Sequence, residues 1–129
     1  MTLLTSTNYD DNEEREWGGR NGYGAKLANI FSKQMDVETV DYLRKKKFKQ
    51  TFSKNMSVKS KPKITTCEAK PYTKITFLPD YRRFGLENIT NDLFDIYTKR
   101  VYDSSMWFSG NMNLTLNPKL KKKDNEVDV

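Results

Sequence analysis

The residues of this 129-residue chain best suited to chemistry lie early, in the run Gly18-Gly19-Arg20-Asn21-Gly22-Tyr23-Gly24-Ala25-Lys26. Glycine reaches positive φ without steric cost and lets backbone amides come close to a bound group. Leu27, Ile30 and Phe31 follow at helical spacing, and Ala25 and Ala28 have high helix propensity, so a short helix is predicted over 25–33. A glycine-rich loop that opens onto a helix N-terminus presents unused N–H groups and the positive end of the helix dipole, here flanked by Arg20 and Lys26. That combination suits a phosphate-bearing anion. The spacing matches neither Gly-x-Gly-x-x-Gly nor a loop ending in Gly-Lys-Ser/Thr. Taken alone, three neighbouring glycines fit a tight turn equally well.

Other chemistries are narrowed by what the chain lacks. It has no histidine and a single cysteine, Cys67, which removes imidazole acid/base catalysis, a disulfide framework and the usual zinc sites. A general base has to be a carboxylate, a lysine or a tyrosine. No apolar run approaches the ~20 residues that span a bilayer, and residues 1–4 are too short for a signal-peptide core; the expectation is a soluble intracellular protein with no membrane partner. The net charge of +6 favours phosphate-bearing partners without naming one. It is polarised: Asp10, Asp11, Glu13, Glu14 and Glu16 make 9–17 acidic, whereas 33–63 carries ten cationic side chains against three acidic ones.

The elements that have to hold the loop can be read from periodicity. Residues 35–42 and 48–52 alternate as strands on either side of the basic cluster 44–47, and they could pair as a hairpin with a basic tip. Thr73, Ile75 and Phe77 form one face of a clear strand that stops at Pro79, and a weaker strand is read over 63–67. Leu93, Ile96, Tyr97 and Val101 form one helical face between 90 and 102, with Thr90 or Asn91 as cap, Asp92 in the first turn, and Lys99 and Arg100 in the last. A last strand is read over 112–116. The mean hydropathy of −0.85 implies a modest core, and the charged segment 119–129 is expected to be disordered.

Three stretches, Leu3-Leu4-Thr5-Ser6-Thr7-Asn8-Tyr9-Asp10-Asp11, Gly18 through Lys26 and Asn29-Ile30-Phe31-Ser32, resemble the nucleotide lid and glycine loop of eukaryotic-type type II DNA topoisomerases. The likeness continues at Phe48-Lys49-Gln50-Thr51-Phe52 and at Tyr72-Thr73-Lys74-Ile75-Thr76-Phe77-Leu78-Pro79-Asp80, then Phe84-Gly85. It stays faint but collinear to Asn111. That family belongs to the GHKL superfamily, shared with gyrase B and histidine kinases. The resemblance implies an α+β chain: a two-layer α/β sandwich, part of the GHKL (Bergerat) ATPase fold, with a mixed sheet and two main helices over 1–118 and the ATP lid and glycine loop in 1–24.

By the same resemblance the cofactors are ATP and Mg2+. Ser6, Thr7 and Asn8 would contact ribose and phosphates, with Thr7 standing where the family has serine. Gly19, Arg20, Asn21, Gly22, Tyr23, Gly24, Ala25 and Lys26 would wrap the β- and γ-phosphates, with the amides of 22–26 as main donors. Thr73 would help hold the adenine end. Trp17 departs from the family, where a smaller residue precedes the glycine pair. The family's water-activating glutamate, Mg2+-binding asparagine and adenine turn have no counterpart in this sequence, so a fragment that binds ATP weakly and does not turn it over is expected, with apolar sheet surface left exposed.

The partners implied are ATP, double-stranded DNA through the complete enzyme, and the rest of the topoisomerase or a homodimer partner, in the nucleus. Two alternatives remain at this stage. One is a stand-alone nucleic-acid-binding protein that uses the cations of 44–49 and 54–63 with Phe48, Phe52 and Tyr72 stacked on bases. The other is a regulatory decoy that docks on a full topoisomerase.

Overall fold

A computed structural model of the chain describes residue 19 and residues 21–107 and 114–117. Helix α1 (Gly24–Ile30) leads into strand β1 (Ser32–Asp41), followed by β2 (Lys46–Ser53), β3 (Val58–Lys59), β4 (Lys63–Thr66) and β5 (Tyr72–Pro79). A 3-10 turn (Tyr81–Phe84) and helix α2 (Asn91–Trp107) complete the described elements. The chain is α+β, and it divides into two compact units after Phe84.

In the first unit the sheet runs β3-β2-β1-β5, with β4 also paired to β2. The hairpin predicted from alternation is present: β1 pairs antiparallel with β2, placing Met35 opposite Phe52 and Asp41 opposite Lys46, around a tip at 42–45. Every described pairing is antiparallel, so the mixed sheet implied by the resemblance is corrected for the described residues. The four-residue link between β1 and β2 allows no other arrangement, because a parallel partner needs a crossover of a dozen or more residues.

Side-chain alternation sorts the sheet into two faces. Met35, Val37 and Thr39 of β1 share one face with Phe48 and Phe52 of β2, Ile64 of β4, and Thr73, Ile75 and Phe77 of β5. Asp36, Glu38, Lys47, Lys49, Thr51, Lys63, Thr65, Lys74 and Thr76 occupy the other. The apolar core is small: Met35, Val40 and Phe52 are the buried hydrophobic residues among those described. Val40 is on the polar face, closed over by its cross-strand neighbours Lys47 and Tyr72, whose stems cover apolar surface while their polar ends stay wet.

Helix α1 ends at Ile30 and not at Lys33 as the apolar spacing suggested. Strand pairing takes over at once: Ser32 faces Pro79 and the Asp80 N–H donates to the Phe31 carbonyl (2.8 Å). The buried Ser32 hydroxyl bonds back to the Ala28 carbonyl, a local bond that competes with helix continuation. The turn after β2 fixes the same corner. Lys54, Asn55 and Met56 all have positive φ, and the Asn55 side-chain amide donates to the Ile30 carbonyl (2.9 Å) and to Asp80 (3.1 Å). Phe31 stacks near Phe84, with ring centroids 5.4 Å apart, and Arg83 lies over the Phe31 ring.

In the second unit, α2 begins where the sequence places it, with the Thr90 hydroxyl accepting the Leu93 N–H (3.2 Å) as a side-chain cap. Lys99 pairs with Asp103 one turn on (2.6 Å). The helix continues five residues past the predicted end at 102. The strand expected over 112–116 does not form at residues 114–116, which lie in irregular chain; 112–113 and the expected tail 119–129 lie outside the described residues. Among the described residues no helix is long and apolar enough to cross a membrane.

Candidate functional site

The glycine loop meets α1 without a conventional cap. Tyr23 occupies the cap position with helical backbone angles and gives no side-chain hydrogen bond. The first helical bond runs from the Leu27 N–H to the Tyr23 carbonyl (2.8 Å). The amides of Gly24, Ala25 and Lys26 therefore have no acceptor among the described residues, as the first turn of any helix requires unless a cap or ligand intervenes. Gly22 stands at φ 69°, a left-handed angle that costs a residue with a Cβ about 1–2 kcal/mol. A Cβ on Gly24 would meet no heavy atom within 4 Å, so the space beside the Gly24 Cα is open. A Cβ on Gly19 would likewise meet no heavy atom within 4 Å. Asn21, Gly22, Tyr23, Gly24 and Ala25 are exposed and Lys26 is half-buried. Ser6, Thr7, Asn8, Trp17 and Arg20 lie outside the described residues.

Thr73 is on the apolar face, opposite Thr39. The two hydroxyls are 3.1 Å apart, and Thr39 also donates to the Tyr72 carbonyl (3.3 Å). Each hydroxyl has one proton, so with the Thr39 proton on the carbonyl, Thr73 donates to Thr39 and keeps its lone pairs for an incoming N–H donor. Thr39 is a partner that the sequence did not single out, since only the strand register reveals it.

The charged residues of the sheet form a network on the polar face. The Tyr72 hydroxyl donates to Glu38, and Lys47 Nζ lies 3.3 Å from the same carboxylate. Those contacts, the tyrosine bond foremost, hold the Glu38 carboxyl below the usual carboxylate range, while Glu38 raises both Tyr72 and Lys47. Asp36 is lowered mainly by the Thr51 hydroxyl and then by Gln34, and Asp41 by Arg44 at 2.7 Å.

Base stacking beside the lysines is not what the alternation provides. Lys47 and Lys49 point to the face opposite Phe48 and Phe52, Phe52 is buried, and the Tyr72 hydroxyl is bound to Glu38. Of the aromatics in the nucleic-acid alternative, Phe48 and Phe52 are therefore separated from these lysines by the sheet, and Tyr72 alone shares their face.

No protein-family model matches the chain. It is 53% identical over 104 residues, 81% of its length, to the DNA topoisomerase 2 of Acanthamoeba polyphaga mimivirus, and 52% identical over 118 residues, 91% of its length, to that of Candida albicans. The chain spans about 8% of the length of each of these curated relatives. Among solved structures, the ATPase region of Saccharomyces cerevisiae topoisomerase II matches with a TM-score of 0.74 and 50% identity, over 79% of this chain and 27% of that one. The ATPase and transducer domains of DNA topoisomerase II from Balamuthia mandrillaris match with a TM-score of 0.73 and 48% identity, over 79% and 28%.

Proposed function

The chain belongs to the type II DNA topoisomerases as a counterpart of part of their ATPase region, and on that premise we propose that the turn from Gly19 to Lys26 holds the β- and γ-phosphates of ATP. The observation that supports this most directly is the set of three amides, Gly24 to Lys26, with no acceptor among the described residues and open space before the Gly24 Cα. Amides at a helix start carry partial positive charge and donate to phosphate oxygens. The Lys26 ammonium and the Asn21 amide add contacts from the same turn, with Arg20 at its flank. Ser6, Thr7 and Asn8 serve the ribose and phosphates. Thr73, with its lone pairs directed by the Thr39 contact, accepts from the adenine end.

By the family resemblance, the Mg2+ that accompanies ATP would take its protein ligand from outside this chain and, when bound, would offset charge on the phosphate oxygens. The work of this chain is binding and orientation. Strand passage of duplex DNA, the nuclear setting and pairing with a second subunit belong to the whole enzyme of which it is a counterpart in part.

Calorimetric titration with a non-hydrolysable ATP analogue tests the loop. The wild-type chain is expected to release heat, and a Gly24→Ala, Lys26→Ala variant to lose at least tenfold in affinity. The alanine at 24 meets no protein atom, so its effect reads the approach of the ligand and not damage to the fold. Equal heats from both chains remove the assignment, and Mg2+-dependent turnover by the chain alone overturns the division of labour.

A further inference from the structure

We infer that the polar face of the sheet is a contact surface for the phosphate backbone of duplex DNA, centred on Lys49, Lys63 and Lys74. The register places Lys63 of β4, Lys49 of β2, Glu38 of β1 and Lys74 of β5 in one row across four strands. At about 4.8 Å per strand the row spans roughly 14 Å.

The two carboxylates on the face stay ionised but are hydrogen-bonded in place, and the four lysines Lys47, Lys49, Lys63 and Lys74 outnumber them. Glu38 is held by Tyr72 and Lys47, and Asp36 by Thr51 and Gln34. Lys49, Lys63 and Lys74 make no direct ion pair within 4 Å among the described residues, while Lys49 acts at longer range on Asp36 and Glu38. Lys49 and Lys63 are also direct cross-strand partners, an arrangement of like charges that opposes pairing of the strands. An anion between them converts that repulsion into attraction.

The surroundings supply one seat with an excess of cations and, beside it, a depression in which two lysines balance two carboxylates. One depression of about 220 Å³ is lined by Lys47, Lys49, Lys63, Thr65 and Glu38, and a second of about 210 Å³ by Lys49, Lys74, Thr76, Asp36 and Glu38. Each joins lysines to a threonine hydroxyl, Thr65 or Thr76, which has no intramolecular hydrogen bond among the described residues and can donate to a phosphate oxygen. Phe48 and Phe52 are on the other side, and the aromatic ring in register with this face is Tyr72, at the edge strand beside Lys47 and outside the row of Lys63, Lys49 and Lys74. A row of cations and hydroxyls with one ring at its margin suits the outside of a duplex, whereas splayed single-stranded bases call for successive aromatic rings along the row. The choice of DNA as the polyanion rests on the family assignment above; the anion preference of the face does not.

The test uses the full 129-residue chain and a labelled 20-base-pair duplex, titrated between 50 and 200 mM salt. Wild type is compared with a Lys49→Ala, Lys63→Ala, Lys74→Ala variant and with a Lys33→Ala, Lys46→Ala, Lys54→Ala control of equal net charge. Loss of three phosphate contacts lowers the slope of log K against log salt by about 2.7, so the wild type should lose roughly fortyfold more affinity than the triple variant over that range. The control should keep the wild-type slope, and circular dichroism should show both variants folded. Absence of duplex binding, equal slopes for wild type and triple variant, the same loss in the control, or tighter binding to a single strand of the same length each overturns the inference. Titration with the ATP analogue on the same samples keeps the outcomes separable: intact nucleotide binding with no duplex contact rejects this surface alone.

Discussion

The two faces of the sheet are made from the same strands and end in different conditions. On the polar face the carboxylates are bound by neighbours of their own sheet, Glu38 by Tyr72 and Lys47, Asp36 by Thr51 and Gln34. The apolar face is closed at one place, where Met35 and Phe52 are 2% and 4% exposed, and open at another, where Ile75, Phe77 and Ile64 stand 52%, 48% and 63% exposed. Hydrogen bonds saturate locally, whereas apolar side chains contribute only in proportion to the area removed from water, about 25 cal/mol per Å². The stability of the first unit is therefore concentrated in few residues, and the exposed surface expected from the sequence is present at Ile64, Ile75 and Phe77.

Three perturbations sharpen this contrast. Phe52→Ala, which truncates one of the few closed positions, is expected to cost about 3–5 kcal/mol, a large share of the ~5–15 kcal/mol that a domain possesses. A urea midpoint near that of wild type would place the core elsewhere. Acidification should act next, on the polar face at Asp36 and Glu38 and at the hairpin tip at Asp41. Asp36, Glu38 and Asp41 have lowered values in the folded chain, so their contribution is complete above the unfolded values of 3.8 and 4.5 and disappears as pH falls through the lower folded ones. Thermal melts at decreasing pH should hold steady above about pH 5 and decline below about 4. Thr51→Val, which removes the main cause at Asp36, should flatten that decline; an unchanged profile contradicts the network. The smallest change is expected from Ile75→Thr with Phe77→Thr, within about 0.5 kcal/mol on the exposed part of the apolar face. Sedimentation should then show less self-association, and a loss as large as that of Phe52→Ala would mean these positions are covered in solution.

Legibility from sequence followed the range of the interactions. The β1–β2 hairpin and β5 were readable because alternation is a local property, and the Thr90 cap because cap chemistry is equally local. The end of α1 was not readable: Ile30 and Phe31 continue the helical spacing, and only strand pairing at Ser32, with Asp80 bonded to Phe31, ends it. The extension of α2 beyond 102 was hidden because serine favours helix interiors poorly. There Ser104 and Ser105 donate to the Arg100 and Tyr102 carbonyls (2.7 and 2.6 Å) within the helix itself. For the candidate site, the glycines and Lys26 announced themselves by type, and the resemblance supplied their chemistry. The partnership of Thr39 with Thr73 and the segregation of lysines from phenylalanines required the register.

The Asn55 clasp gives α1 a mechanical asymmetry. Its carboxyl end is held by a side-chain amide that also grips Asp80, while its amino end follows a glycine turn with unspent donors. A helix clamped at one tip behaves as a cantilever: a load applied by a ligand at the free tip is passed along the helix to the sheet corner where Asn55 holds it. Asn55→Ala would release the clamp and let that load dissipate as rotation of the whole helix.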